Sequence, residues 1–201
     1  MTRDRIALFL AMCSILCLGS VAVTRAEDAA SAPCSQVSFE DLGGDRLGAS
    51  IPRTMTLLAT SNEWRRNRVH ILFWGQSITA QEWTGLLVRD LRKRFPLADI
   101  VAENRAIGGF QAPDLVRTSV HDLYPVYPDL VVFHVYGGET TGELERIISN
   151  IRRYTTSEIL VATHHVAQFS DPGTPEFEKR MKSDDNSSAF IRAIAREYGC
   201  E

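Results

Sequence analysis

The stretch ILFWGQSITAQEW, residues 71–83, places a run of large apolar side chains directly before a short polar segment. Four apolar residues lead into Gly75, and Gln76 and Ser77 then precede a helix-like pattern. A continuous apolar run of this length is typical of a β-strand that is covered on both faces. The stretch therefore predicts a buried strand over residues 69–74 that presents a serine just beyond its carboxyl end.

The chain beyond this stretch continues to alternate apolar strands with amphipathic helices. Two helices follow capping-box patterns, Thr79-Ala80-Gln81-Glu82 and Thr140-Thr141-Gly142-Glu143. This alternation predicts an α/β domain, a three-layer doubly wound parallel sheet. The further strands are predicted at residues 99–103, 130–136 and 158–163, and the helices at residues 83–95, 114–123, 144–151 and 190–198.

Polar or glycine-rich segments follow all four predicted strands. In open parallel sheets, ligands bind beyond the carboxyl ends of the strands. Because these ends meet at one edge, we expect a single site there. The segments are Gly75-Gln76-Ser77, Gly108-Gly109, Gly137-Gly138-Glu139 and His164-His165.

The amino terminus has the pattern of a secretory signal peptide. Arg3 and Arg5 precede an apolar run over residues 6–23, and Ala26 suits cleavage after it. The alternative is an uncleaved membrane anchor, since the run is long enough to span a bilayer. Both place the folded part outside the cytoplasm, secreted or periplasmic. Residues 27–68 are predicted to be an N-terminal extension and residues 69–201 the α/β domain.

Charge and cysteine content limit the classes of partner. The formal net charge is −3, and it becomes −5 when residues 1–26, with three basic and one acidic residue, are removed. A mildly acidic exported domain is a poor candidate for nucleic acid binding. No Cys-x-x-Cys pattern occurs, so we predict no metal and no other cofactor. Cys34 and Cys200 are able to pair in an oxidising compartment, although the sequence does not show that they meet.

Three segments in order resemble the motif blocks of the SGNH/GDSL hydrolases, secreted and periplasmic serine esterases with a flavodoxin-like sheet. Gly75-Gln76-Ser77 resembles block I, residues 104–109 resemble block II, and residues 128–139 resemble block III. The resemblance implies that Ser77 is the nucleophile. It also implies that the backbone N–H groups of Ser77 and Gly109 form the oxyanion hole, and that the substrate is a small acyl ester, such as an acetylated carbohydrate.

The sequence departs from the family pattern at three points. Gln76 replaces an aspartate of block I, and Gly138 stands where block III has an asparagine that donates to the oxyanion. The family's late Asp-x-x-His motif, which supplies the base, does not occur in the sequence. Gly199 closes the last predicted helix two residues before the end, where such a domain continues into another strand. We therefore expect a chain that lacks the last strand and this motif, and that is inactive as given.

Two other hypotheses remain open at this stage. The departures at Gln76 and Gly138 also suit a carbohydrate- or ligand-binding pseudoenzyme on the same fold. The paired glycines suit a phosphate or nucleotide binder, but no Gly-x-Gly-x-x-Gly or Walker pattern occurs. His164 and His165 are candidates for lining the substrate site, with a base role for one of them as the lesser alternative. His134, inside a predicted strand, is interpreted as a core residue. No stable membrane partner is expected if the signal is cleaved.

Overall fold

The computed structural model describes residues 48–137, 139–164 and 171–201, and Ser50–Glu201 forms one compact unit. Four strands and five α-helices alternate along the described residues of this unit. Two short 3₁₀ helices, Tyr124–Val126 and Glu139–Thr141, flank β3. In chain order the elements are α1 (Pro52–Thr60), β1 (Arg68–Gly75), α2 (Trp83–Arg94), β2 (Asp99–Asn104), α3 (Ala112–Asp122), β3 (Leu130–His134), α4 (Glu143–Tyr154), β4 (Glu158–Ala162) and α5 (Pro175–Glu197).

The four strands form one parallel sheet in the order β2-β1-β3-β4. Gly75 is level with His134 of β3, and His134 is level with Ala162 of β4. The strand order reverses between β1 and β3, so the crevice where ligands bind in such sheets opens beyond Gly75. The predicted doubly wound α/β fold is confirmed, and Ser77 lies two residues past this switch point.

Helices cover both faces of the sheet, as the apolar strand sequences require. On one face Trp74 of β1 stacks on Phe133 of β3, with ring centroids 5.3 Å apart, and both belong to a core shared with α3, α4 and α5. Phe73 points to the other face, where its ring meets Trp83 of α2 edge-on at 5.8 Å. The alternation of side chains along β1 thus anchors both layers to the strand that carries the serine.

Both predicted capping boxes are wrong. No side chain caps α2, whose N-cap residue is Glu82, and Thr79 is instead fully buried in the turn before it. At α4 the N-cap residue is Gly142, and the Thr141 hydroxyl donates to the Glu143 carboxylate rather than capping the backbone. The threonines of the two patterns therefore fill turns between a strand and a helix, and Ser77 lies six residues ahead of α2.

Two helices differ from the sequence-based expectation. The helix α1 lies within residues 27–68, which were predicted only as an N-terminal extension. The helix α5 begins at Pro175 rather than near residue 190, with the Thr174 hydroxyl accepting from the Phe177 N–H at 3.2 Å. Its first half is largely exposed and charged, so no apolar stripe marked it. The helix that was expected to be short is therefore the longest one among the described residues.

A buried carboxylate attaches α1 to the sheet. Glu158, at the start of β4, accepts from the backbone N–H groups of Arg53 and Thr54, both at 2.7 Å. The first N–H groups of a helix have no partner within the helix. A carboxylate there accepts hydrogen bonds from them and interacts favourably with the positive end of the helix dipole. Glu158 therefore supplies a cap that the local sequence of α1 lacks.

We expect Glu158→Ala to lower the free energy of unfolding by about 2 kcal/mol, because the buried Thr54 N–H and the partly buried Arg53 N–H lose their acceptors. Chemical denaturation measures the change. Glu63→Ala removes an exposed loop carboxylate and is the control, with an expected change within about 0.5 kcal/mol. Equal stability of Glu158→Ala and the control would contradict the capping role.

The end of α5 returns the chain to the sheet. Gly199 has φ +60°, and the Cys200 N–H donates to the Ala195 carbonyl at 2.7 Å, a Schellman ending that confirms Gly199 as the residue after the C-cap. Glu201 then pairs with the outer edge of β4. The Glu201 N–H donates to the Ile159 carbonyl at 3.0 Å, and the Glu201 carbonyl accepts from the Val161 N–H at 2.8 Å.

The Cys200 thiol is free and buried, and burial raises its pKa. Cys34 lies outside the described residues, so the pairing of Cys34 with Cys200 stays a prediction. Residues 1–26, the predicted signal, lie outside them too. Within the described part of the chain, no helix has the length and apolarity needed to cross a bilayer. In the same part, no group of three or more His, Cys, Asp or Glu side chains is arranged to hold a metal ion.

Candidate active site

The end of β1 is held against β3 by a glycine. Gly75 has φ +147°, and a Cβ at this position would stand 2.2 Å from the backbone carbonyl oxygen of His134. The Gly75 carbonyl also accepts from the Ile107 N–H at 3.0 Å, in the loop after β2. The conformation and the close approach both require glycine. The turn that carries Ser77 therefore starts from a fixed point between two neighbouring strand ends.

Gln76 joins this turn to the loop after β3. Its side-chain N–H donates to the Tyr136 carbonyl at 2.7 Å, and its side-chain oxygen accepts from the Tyr136 N–H at 3.0 Å. The Gln76 side chain is completely buried. An aspartate, as in the family motif, has no N–H to donate to Tyr136. The glutamine therefore serves as a clamp between two backbones, which explains why an amide occupies the block I position.

Ser77 is partly exposed, and within the described residues no side chain hydrogen-bonds to its hydroxyl. The glycine loop after β2 lies against it, because a Cβ at Gly108 would be 3.9 Å from the Ser77 Cβ. Gly109 has φ +83°, and a Cβ there would meet no atom within 4 Å. Ser77 and the predicted oxyanion glycine therefore come together on neighbouring loops, with open space beside Gly109.

Asn104, the first residue of block II, fixes the same two loops. Its side-chain N–H₂ donates to the Thr79 carbonyl at 2.7 Å and approaches the Thr84 hydroxyl at 3.1 Å. Its side-chain oxygen accepts from the Ala106 N–H at 3.0 Å. Block II was expected to contribute only its glycine, so this role of Asn104 was not predicted from the sequence. Asn104 holds the turn after Ser77 to the start of the glycine loop.

Arg105, which follows β2, is engaged in hydrogen bonds within the protein. It donates two hydrogen bonds to the Glu103 carboxylate, at 2.8 and 3.0 Å, and one to the Asp122 carbonyl at 3.3 Å. These contacts lower the pKa of Glu103, with the Arg105 hydrogen bonds as the main cause and a smaller contribution from His70. The guanidinium is therefore held by partners from β2 and from the end of α3.

The loop after β3 is tied to the start of α3. The Gly137 carbonyl accepts from the Ala112 N–H at 3.2 Å, and the Gln111 carboxamide lies against the Gly137 Cα. Gly138, the predicted block III position, lies outside the described residues. Gln76 was expected in the site only as a departure from block I, and Gln111 was not expected there. A side-chain amide at either place gives no signal of its own in a single sequence.

His164 follows β4 and lies near the loop after β3. Its Nδ1 atom is 3.8 Å from the Asp184 carboxylate of α5, and the ring stands edge-on to Tyr136 with centroids 6.4 Å apart. Arg180 approaches the other Asp184 oxygen at 3.6 Å. His165 lies outside the described residues. His134 is buried in β3, which confirms the interpretation of this residue as part of the core.

Comparison with known proteins gives structural matches only. No protein-family model and no curated protein matches the chain. Axe2, an acetylxylan esterase from Geobacillus stearothermophilus, matches with a TM-score of 0.56 at 16% identity, over 66% of this chain and 74% of that one. The fold is shared with acetylxylan esterases.

Two further solved structures agree with this match. The acetyl xylan esterase AlAXEase matches with a TM-score of 0.53 at 19% identity, over 66% of this chain and 75% of that one. LAE5, an α/β hydrolase from the metagenome of Lake Arreo in Spain, matches with a TM-score of 0.54 at 16% identity, over 66% of this chain and 74% of that one. The resemblance to SGNH hydrolases that the three motif segments predicted is thus confirmed for the fold. The roles of individual residues are not taken from these matches.

Proposed function

We propose that the chain is a serine ester hydrolase of the SGNH type, with Ser77 as its nucleophile. The observation that carries the proposal is the contact of the partly exposed Ser77 with the glycine loop after β2, at the carboxyl edge of the sheet. The turn that carries Ser77 is held on both sides, at the Gly75 carbonyl by the Ile107 N–H and at the Thr79 carbonyl by Asn104, and Ser77 remains partly exposed. The esterase fold of the structural matches supports the same reaction class.

The reaction is an acyl transfer in two steps. The Ser77 oxygen attacks the ester carbonyl carbon and loses its proton to a general base, giving a tetrahedral intermediate. The intermediate expels the alcohol, which takes up the proton, and leaves an acyl group on Ser77. Water then attacks the acyl carbon, releases the acid and restores the hydroxyl. The backbone N–H groups of Ser77 and Gly109 are proposed to hold the oxyanion in both steps.

The general base is the part of the mechanism that the described residues do not supply. No described histidine hydrogen-bonds to Ser77, and the sequence contains no Asp-x-x-His motif. Assistance by a general base raises the rate of such a reaction by a factor of roughly 10²–10⁴. We therefore propose that the 201-residue chain by itself reacts slowly, with solvent or added base taking the proton.

The proposed substrate is an acetyl ester of a carbohydrate. Two of the matched proteins are named acetylxylan esterases, and the edge beside Ser77 carries Tyr136 and His164. An aromatic ring and an imidazole are suited to contact the sugar part of such an ester. We also propose that the protein is exported, on the pattern of residues 1–26.

A binding function without turnover is the second candidate. It is favoured by Ser77 having no hydrogen bond from a histidine among the described residues, and by the sequence, in which glycine stands at position 138 where block III has a side-chain donor. In this case the same edge binds a carbohydrate ester without cleaving it. The two candidates differ in whether acetate appears in solution.

Acetate release from acetylated xylo-oligosaccharides and from p-nitrophenyl acetate tests the proposal. We expect slow hydrolysis by the wild-type chain, loss of it to the buffer rate in Ser77→Ala, and no change in Ser183→Ala, an exposed serine of α5. An unchanged rate in Ser77→Ala would contradict the assignment of the nucleophile. Binding of the oligosaccharide with no Ser77-dependent acetate release would favour the second candidate.

A further inference from the structure

A tryptophan projects into solvent near the amino end of the sheet, the end opposite to Ser77. Trp64 lies in the loop between α1 and β1, and 95% of its surface is exposed. An indole is one of the largest apolar groups that a side chain offers, and tryptophan is enriched at the centres of binding interfaces. The indole of Trp64 is therefore a group whose burial is left to a partner.

Hydrogen bonds fix the backbone that carries Trp64. The Asn62 side-chain oxygen accepts from the N–H groups of Trp64 and Arg65, at 3.0 and 2.9 Å. The Arg65 carbonyl accepts from the Asn62 N–H at 2.9 Å. After the turn, the buried Asn67 donates from its side chain to the Leu57 carbonyl of α1 at 2.9 Å. The backbone on both sides of Trp64 is thus held, and the indole is presented outward by a defined turn.

The same loop is basic. Residues 61–68, which we call the Trp64 loop, contain three arginines and one glutamate, whereas the whole chain has a formal net charge of −3. Arg65, Arg66 and Arg68 are all exposed, and none of them forms an ion pair among the described residues. Their charges are therefore available to an anionic partner, directly beside the exposed indole.

The extent of the exposure distinguishes between kinds of anionic partner. An aromatic ring that serves as a platform for a sugar or a base packs one face on the protein. At 95% exposure, both faces and the edge of the Trp64 indole lie in solvent. An indole at a membrane surface is surrounded on all sides by headgroups and the first part of the acyl chains, while neighbouring arginines reach the phosphates. The Trp64 loop matches this second arrangement.

We propose that the Trp64 loop docks the protein reversibly on an anionic phospholipid surface, with Trp64 between the headgroups and the three arginines on the lipid phosphates. β1 runs from Arg68 to Gly75, a length of roughly 25 Å. The carboxyl edge that carries Ser77 therefore faces away from the lipid. The inference is independent of the ester hydrolysis proposed above, because it concerns the opposite end of the sheet.

The test is the tryptophan fluorescence of the protein mixed with vesicles of brominated phosphatidylcholine, with and without phosphatidylglycerol. Bromine quenches an indole that enters the lipid, so the signal comes from the loop itself, whether or not residues 1–26 remain attached. We expect quenching and a shift to shorter wavelength on the vesicles that contain phosphatidylglycerol, and little change on phosphatidylcholine alone. Trp64→Ala is expected to show neither effect, since Trp74 is completely buried in the protein.

A pair of double variants tests the contribution of charge. Arg65→Ala with Arg66→Ala is expected to raise the lipid concentration for half-maximal quenching at least about 10-fold, because each arginine near an anionic surface strengthens binding. Arg192→Ala with Arg196→Ala makes the same change of charge at exposed positions of α5 and is expected to leave this concentration unchanged. Added salt should weaken the binding of the wild type by screening.

Several outcomes would overturn the inference. These are a lack of Trp64 quenching on anionic vesicles, equal quenching on phosphatidylcholine alone, and equal weakening by the two double variants. A spectral shift with heparin, a soluble polyanion, and none with vesicles would assign the loop to a polysaccharide and would also overturn it. Ser77→Ala is expected to bind vesicles like the wild type, so a failure of the esterase proposal leaves this result unaffected.

Discussion

Gly75→Ala is expected to lower the free energy of unfolding by about 3–5 kcal/mol, which is a large part of the stability of an ordinary domain. The added methyl would stand 2.2 Å from the His134 carbonyl, which belongs to the backbone of a buried neighbouring strand and cannot move aside alone. The backbone φ of +147° adds strain for any residue other than glycine. A decrease in melting temperature of about 10 °C is the measurable result.

Gly85→Ala provides the matched control for this variant. Gly85 lies in α2, and a Cβ there would meet no atom within 4 Å. Alanine is the better helix former by up to about 1 kcal/mol, so we expect the control to be as stable as the wild type or slightly more stable. If both alanine variants melted at the wild-type temperature, the close approach between β1 and β3 would not exist as described.

Gln76→Leu is expected to lower the free energy of unfolding by about 2–4 kcal/mol. It is also expected to reduce the rate of Ser77-dependent ester hydrolysis by more than 10-fold. The variant removes both partners of the Tyr136 backbone, and unpaired buried polar groups cost about 1–3 kcal/mol each. It also separates the turn that carries Ser77 from the loop that carries Gly137. Denaturant unfolding and p-nitrophenyl acetate hydrolysis measure the two effects.

Gln76→Glu adds a test that depends on pH. When protonated, glutamic acid is able to donate to the Tyr136 carbonyl and accept from its N–H, whereas the carboxylate has no proton to donate. Burial raises the pKa of a carboxyl group in the folded state, so the variant is destabilised above the unfolded-state pKa of about 4.3 and approaches the wild type as the pH falls toward that value. Gln81→Glu, at an exposed position, should show no such trend. A stability difference from the wild type that is independent of pH would contradict the clamp.

The fold was predictable because the strands are marked by apolar runs with turn residues at their ends. β1 extends only one residue beyond each end of the predicted segment, and the alternation of strand and helix predicted that the sheet is parallel. The helix that the sequence did not predict has a physical cause. The helix α1 is held by Glu158 from β4, about 100 residues away, and such a cap leaves no pattern near residues 52–60.

The site was predictable only as a meeting of strand ends. Ser77 and the loop of Gly108 and Gly109 come together as expected, since parallel strands deliver their carboxyl ends to one edge. The partners of Gln76 and His164 were not predictable. Gln76 binds the backbone of Tyr136, and His164 lies near Asp184 in the charged half of α5, so both contacts depend on tertiary structure.

Covalent capture with a fluorophosphonate tests whether Ser77 is a nucleophile. The reagent reacts when the serine oxygen displaces fluoride and forms a bond to phosphorus, and peptide mass spectrometry locates the adduct. We expect a single adduct on Ser77 that forms faster when imidazole is added as an external base, and no adduct in Ser77→Ala. An unlabelled Ser77 at all imidazole concentrations, in a folded chain, would contradict it.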